Sequence, residues 1–368
     1  MRFSAMKSDL QSAAAIASRA VPSHTTMSIL ECILIRARGQ SLIFTANDME
    51  MGIETRITAN VEEQGMIAVE AKMFSEIMRK LPDDMVRFET DENLGIRIRC
   101  GKARFSIGGR SGEEFTDFPE IETYDSVDIS GYTLKSLIQN TIFSIAAGDN
   151  SKIMSGELFE VRGGILRVVA LDGHRIALRK EVLGGDPSDR KVIIPGKTLM
   201  DISRIISGNI DELVRLHYSG NHIVFELPDT RIVSRLISGE YFDVDHMIST
   251  DYGTKITVNR SELIGCIERA SLFVRESDKK PIVFEIGEKE MNISINTPLG
   301  SMNESVDISM DGREMVIGFN PRFVMEVLKA IDDEEVDMYM INPKAPCFIR
   351  NADDTYMYLV LPVNMKDI

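Results

Sequence analysis

The chain of 368 residues is longer than a single hydrophobic core usually serves, and it predicts two or three domains. With 43% apolar and 27% charged residues it is ordinary globular material, which excludes disorder, collagen and low complexity. A net charge of −15, from 42 Lys and Arg against 57 Asp and Glu, argues against nucleic-acid binding by bulk attraction unless the charge is unevenly distributed.

The opening segment MRFSAMKSDLQSAAAIASRA lacks the charged region and continuous apolar stretch of a secretory signal. It leads from Phe3 to Leu10 as a short strand, a polar cap at Ser8 and a helix. SLIFTAND and MGIETRITANV follow as strands rich in Ile, Val and Phe. VEAKMFSEIMRKLPDD then places Phe74, Ile77, Met78 and Leu81 at i, i+3, i+4 and i+7, the spacing of one helical face. LGIRIRC and KARFSIGG read as two more strands.

The pattern then restarts. VDISGYTL repeats the first strand, cap (Thr133) and helix, and GILRVVALD is again a strand. In IPGKTLMDISRIISGN, Leu199, Ile202, Ser203 and Ile206 stand 125 residues after the first helical face, with Ser203 the one break in apolarity. HIVFELPD and TRIVSRLIS complete the second round. ITVNRSEL opens the third with a cap at Ser261, and IVFEIGEK and MNISINT follow as strands. FNPRFVMEVLKAIDDE puts Val324, Val327, Leu328 and Ile331 a further 125 residues on, before VDMYMIN and TYMYLVLPV. Lys72, Lys197 and Arg322 share this register, just ahead of each face.

One matching helical face is common by chance; matches at two successive offsets, with the preceding cap repeating, are not. The fold class is therefore α+β: three copies of one module of about 123 residues, each with two helices packed on antiparallel sheets. Polar stretches near Ser126 and Asp251 divide the chain into modules 1–125, 126–250 and 251–368.

No apolar run approaches the roughly 18 residues that cross a bilayer, so no membrane partner is expected. Cys32, Cys100, Cys266 and Cys347 are scattered, with no CxxC and no zinc spacing, which fits a reducing, cytoplasmic setting and no metal or other cofactor. Charge is uneven. The six helical stretches 7–19, 72–80, 133–149, 197–206, 260–275 and 321–330 carry +6, leaving −21 on the rest. Lys and Arg on solvated helix faces are unremarkable alone. Placed by a repeat on one side of their sheets, they predict a mildly basic surface on an acidic body, attracting a phosphate backbone without reading sequence.

Over its whole length the chain resembles the bacterial DNA sliding clamps, the β subunits of DNA polymerase III. ALDGHRIAL (170–178) and YLVLPVNM (358–365) carry the resemblance most specifically, with SILECILI, NDMEM, RFSIGG, FPEI and SGEYFDVD in support. It implies the DNA clamp fold in a head-to-tail homodimer ring, with six modules and twelve helices around duplex DNA. The ring would slide without sequence specificity and tether the replicative polymerase, the clamp loader and repair factors by short linear peptides. Such a protein is non-catalytic, and its processivity comes from topology rather than tight grip.

Three sets of residues match family sites. A peptide pocket between the second and third modules would use Met154, Leu171, Gly173, His174, Arg175, Ile176, Phe242, His246, Met247, Leu359, Val360, Leu361, Pro362 and Val363. Its apolar groove and adaptable methionines suit a Leu- or Phe-bearing peptide. Phe242 stands where the family often has proline and His246 where it often has arginine. DNA would be met by His24, Lys72, Arg79, Lys152, Lys197 and Arg204, with Asp149 weakening contact in its loop. Ring closure would use Leu272 and Phe273 of the third module, flanked by Arg269, Arg275 and Glu276, against Ile77 and Ile107 of the first.

Two motifs invite other readings. Asp172-Gly173-His174-Arg175 has the residues of a catalytic dyad but no nucleophile or third orienting group, and reads as a turn. Pro195-Gly196-Lys197-Thr198 imitates a phosphate-binding loop, yet Lys191 stands where that loop needs its first glycine. A rival to the ring is a repeat-built adaptor that binds peptides without encircling DNA. A hydrolase using His174 lacks a metal cluster, a phosphate loop and a nucleophile elbow.

Overall fold

The structure, a computed structural model, describes residues 1–116, 121, 125–148, 151–274 and 280–363. Among these, six α-helices fall in three pairs at repeating intervals: α1 (Lys7–Ala17) and α2 (Ala71–Lys80), α3 (Gly131–Gln139) and α4 (Gly196–Ile205), α5 (Arg260–Ser271) and α6 (Pro321–Lys329). The expected faces are buried. Phe74, Ile77, Met78 and Leu81 are core residues, as are Leu199, Ile202 and Ile206, and Val324, Val327, Leu328 and Ile331. Ser203 is half-buried and donates its hydroxyl to the Met200 carbonyl at 3.0 Å, which satisfies it within its own helix.

The caps differ from expectation. Ser8, Thr133 and Ser261 lie inside the first helical turn. Each strand runs straight into its helix, so the strand's last residue caps. The Asn259 side chain accepts from the Glu262 N–H at 3.1 Å and Ser130 from the Thr133 N–H at 3.0 Å, while Met6 provides no side-chain cap.

Sheet pairing repeats three times. Strands 32–38, 41–47 and 51–58 form a meander, and 65–70 returns to pair with the first of them. The same order recurs in 156–162, 165–171, 175–182 and 190–195, and again in 282–286, 290–297, 300–312 and 315–319. A second set of four comprises 2–6, 85–90, 95–100 and 103–108. Its counterparts are 125–130, 213–219, 222–226 and 230–235, then 254–259, 335–340, 347–350 and 356–360.

The chain folds as two compact units, residues 1–133 with 204–236, and 134–203 with 237–368. In the first, Thr230–Arg235 pairs antiparallel with Met51–Thr58 in register Thr230↔Thr55. Ala13, Ala14 and Ala17 of α1 bring it close to α2, where the Ser18 and Ser75 hydroxyls meet at 3.1 Å. In the second unit, Tyr356–Val360 pairs with Arg175–Val182 in register Arg175↔Val360. There α5 and α6 share a core with the strands, Phe284 and Phe319 meeting edge to face at 5.4 Å.

Candidate functional site: an apolar groove and the flanking helices

In the second unit ALDGHRIAL and YLVLPV meet as paired strands. Beneath them lies an apolar cluster that includes Leu158, Val169, Leu171, Ile176, Tyr241, Val244 and Leu359. Met154, Ile153 and Ile248 pack against it half-buried. Above this cluster Phe242, Met247 and Leu361 remain exposed, with Gly173, His174 and His246 beside solvent and Pro362 and Val363 half-buried. Val360 is core, facing away among the third-module residues.

The turn at 172–174 is built by local chemistry. Gly173 adopts φ +85°, a conformation cheap for glycine. The Asp172 carboxylate accepts from the His174 N–H at 2.9 Å and the Arg175 N–H at 3.1 Å, an Asx-type turn. The Leu361 N–H donates to the His174 carbonyl at 2.9 Å, so the chain end closes one wall. The Val363 N–H donates to the Gly318 carbonyl at 2.8 Å. Arg167 grips Asp245 through two bonds of 2.5 and 3.1 Å, which hold the short turn bearing Met247. That pairing keeps the Asp245 carboxyl below the usual range. The Tyr241 hydroxyl donates to the Val169 carbonyl at 3.2 Å, and burial raises its pKa.

Arg175 departs from its expected role. It is 5% exposed and pairs with Asp172 at 3.0 Å and with Glu326 of α6, while also donating to the Phe143 carbonyl. Its guanidinium lies 4.4 Å from the Phe323 ring centre. It braces the turn from beneath instead of lining the groove, because a charge so enclosed needs partners on every side. His174 stacks on Phe323 at 6.0 Å. The bracing residues Phe143, Arg167, Tyr241, Phe323 and Glu326 were not legible in sequence. Four of them fall in strings already quoted for other reasons, but they meet the turn only through tertiary folding.

Of the residues assigned to DNA, His24 is exposed on a loop, and Lys72 and Arg79 are exposed on α2. Arg79 Nη2 donates to both carboxylate oxygens of Glu76 at 2.6 Å, which shares part of its charge locally. Lys152 and Lys197, the latter at the start of α4, are exposed in the second unit, and Arg204 at the end of α4 is exposed in the first. Asp149 lies outside the described residues, as do Arg275, Glu276 and parts of FPEI and YLVLPVNM.

The residues assigned to ring closure divide. Leu272 is 78% exposed at the end of α5. Phe273 lies over Gly300, whose Cβ position would meet the ring at 2.8 Å. Arg269 forks onto Glu304 on the same strand. Ile107 is half-buried on the edge strand Ala103–Gly108. Ile77 is corrected: with Phe74 and Met78 it belongs to the first module's core, since it falls on the buried face of α2 and offers no surface.

Residues 1–120, 128–243 and 246–364 match, in order, the N-terminal, central and C-terminal domain families of the DNA polymerase III beta subunit. The Beta sliding clamp of Bacillus subtilis (strain 168) is 33% identical over 377 residues, covering 99% of both chains. That of Staphylococcus aureus (strain Mu50 / ATCC 700699) is 29% identical, covering 94% of each. A crystal structure of a putative DNA polymerase III beta subunit from Eubacterium rectale superposes with TM-score 0.95 at 51% identity over the full length of both chains. The Bacillus subtilis sliding clamp structure superposes with TM-score 0.95 at 31% identity, covering 99% of each. The chain therefore belongs to the bacterial DNA polymerase III beta subunit family, the beta sliding clamps, which are non-catalytic processivity factors.

Proposed function

We infer that two copies of this chain close head to tail around duplex DNA and slide along it in the cytoplasm, tethering the polymerase and other replication and repair proteins. One observation beyond family membership carries this reading. The chain closes two identical joints within itself, 51–58 with 230–235 and 175–182 with 356–360. The repeat provides halves for a third. The outer edge of residues 300–307 has no strand partner among the described residues, and 103–108 ends its sheet. In repeat register these are the counterparts of the strands that meet in the two closed joints. Open edges invite pairing. A second copy supplies the missing strand, with Leu272, Phe273 and Ile107 as its apolar anchors and the Arg269–Glu304 pair on the rim. Because different surfaces meet, the contact is heterologous and must close by rotation.

Exposed Lys72, Arg79, Lys152, Lys197 and Arg204, with His24, supply weak phosphate contacts, and the net charge of −15 discourages binding elsewhere. The groove of Met154, Leu171, Ile176, Phe242, Met247 and Leu361, rimmed by His174 and His246, takes an apolar peptide side chain. Light scattering should report a dimer. The loaded protein should remain on nicked circular duplex and run off when the circle is linearised. Equal retention on both forms refutes topological binding, and a monomer that binds peptides but not circles favours an adaptor.

A further inference from the structure

The hairpin frame of the groove occurs a second time, in the first unit. Asp48 plays the part of Asp172: its N–H donates to the Met51 carbonyl at 3.0 Å, and its carboxylate accepts from the Glu50 N–H at 3.1 Å and the Met51 N–H at 2.7 Å. Met49 takes φ +73° where Gly173 takes +85°. The Arg235 N–H donates to the Glu50 carbonyl at 2.8 Å, as Leu361 does to His174. Beside this turn is a cavity of about 100 Å³ lined by Asn47, Met49, Met51, Thr116, His222 and Val233, among others. Its volume is a third of the smallest drug-sized pocket and suits one side chain.

The chemistry of the cavity differs from that of the groove. Where the second unit has Leu171, this one has Asn47, 4% exposed. Its Nδ2 faces the Thr116 carbonyl at 3.5 Å, which orients the amide, and its Oδ1 has no hydrogen-bond partner among the described residues. The Thr45 hydroxyl, two residues back on the same strand face, is unpartnered as well. A buried acceptor left unmatched costs stability unless a ligand supplies the donor. Met49 stands 61% exposed at the rim, and a non-glycine residue held at positive φ is itself costly.

We propose that this cavity is a second peptide-anchoring site, taking one apolar side chain of Val to Met size together with an amide N–H from an extended segment of a partner protein. The N–H satisfies Asn47 Oδ1 while the side chain lies against Met49, Met51 and Val233. An extended peptide presents those two groups side by side, and a purely apolar ligand leaves Asn47 unmatched. The site does not depend on occupation of the groove in the second unit.

The test uses the full chain with ¹³C-methyl-labelled methionine and N-acetyl-leucine dimethylamide, which carries a single N–H, as probe. The Met49 and Met51 methyl resonances shift saturably, and Asn47→Leu, which installs the residue found at 171, weakens binding about tenfold. The acetoxy analogue of the probe, in which an ester oxygen replaces its single N–H, binds the unmodified protein about tenfold more weakly, a comparison that stands even if Asn47→Leu perturbs folding. No response at Met49 and Met51 overturns the proposal, as does equal binding of amide and ester. Shifts confined to Met154 and Met247 also overturn it, since they place the probe only in the second unit's groove.

Discussion

Replacing Arg175 by methionine, the residue at the corresponding position 51, tests whether this arginine braces the groove. The side chain is nearly enclosed, and its loss strands the Asp172 and Glu326 carboxylates, removes a donor from the Phe143 carbonyl and empties the face of Phe323. Breaking a buried pair costs about 3–5 kcal/mol. Glu326 is a quarter exposed and keeps a second partner, Arg322, at 3.0 Å, so the low end applies, about 3 kcal/mol. For a unit of about 200 residues this lowers the melting temperature by roughly 6–12 °C. Thermal unfolding followed with hydrogen exchange assigns the loss, which should fall on residues 172–178, α6 and the chain end while the first unit is unchanged. Adding Glu326→Gln should restore part of it, because one orphaned charge disappears. A drop below about 1 kcal/mol, the scale of a surface pair, or a loss spread evenly over both units, refutes the bracing role.

Four further outcomes are expected. Leu272→Asp with Phe273→Asp should convert the dimer to monomer by light scattering while leaving the helical circular-dichroism signal intact; a surviving dimer removes these residues from the interface. Lys72→Glu with Arg79→Glu should lower the slope of log affinity for duplex DNA against log salt by about 2, at about 0.9 per phosphate contact; an unchanged slope takes α2 off the DNA. Met247→Ala should weaken binding of Leu- or Phe-bearing peptides about tenfold or more, by loss of apolar contact worth about 1.5–3 kcal/mol; calorimetry giving equal affinity sinks that assignment. Glu157 is fully buried, and burial pushes its carboxyl well above the ordinary value, offset only in part by Thr141. The unfolded chain releases this proton near pH 4.3 and the folded chain holds it longer. The contribution is therefore complete at low pH and is lost as pH rises. Glu157→Gln should raise the urea midpoint more at pH 8 than at pH 5; equal changes contradict a buried neutral acid.

Covalent order alone determined the repeat. Apolar residues at helical spacing 125 positions apart can be satisfied only by burying the same face three times, and α2, α4 and α6 do so. Charge placement and the family resemblance were legible for the same reason: both reside in local strings such as ALDGHRIAL. Tertiary structure decided what those strings touch. Ile77 fills the core that its helical spacing predicts and not the interface that the resemblance assigned it, and Arg175 is enclosed by Glu326 and Phe323, about 150 residues away in sequence. Capping moved by a residue or more because the strands end where the helices begin. The joints also needed three dimensions, since strand edges pair by register across long separations and local periodicity does not encode which distant edge will be met.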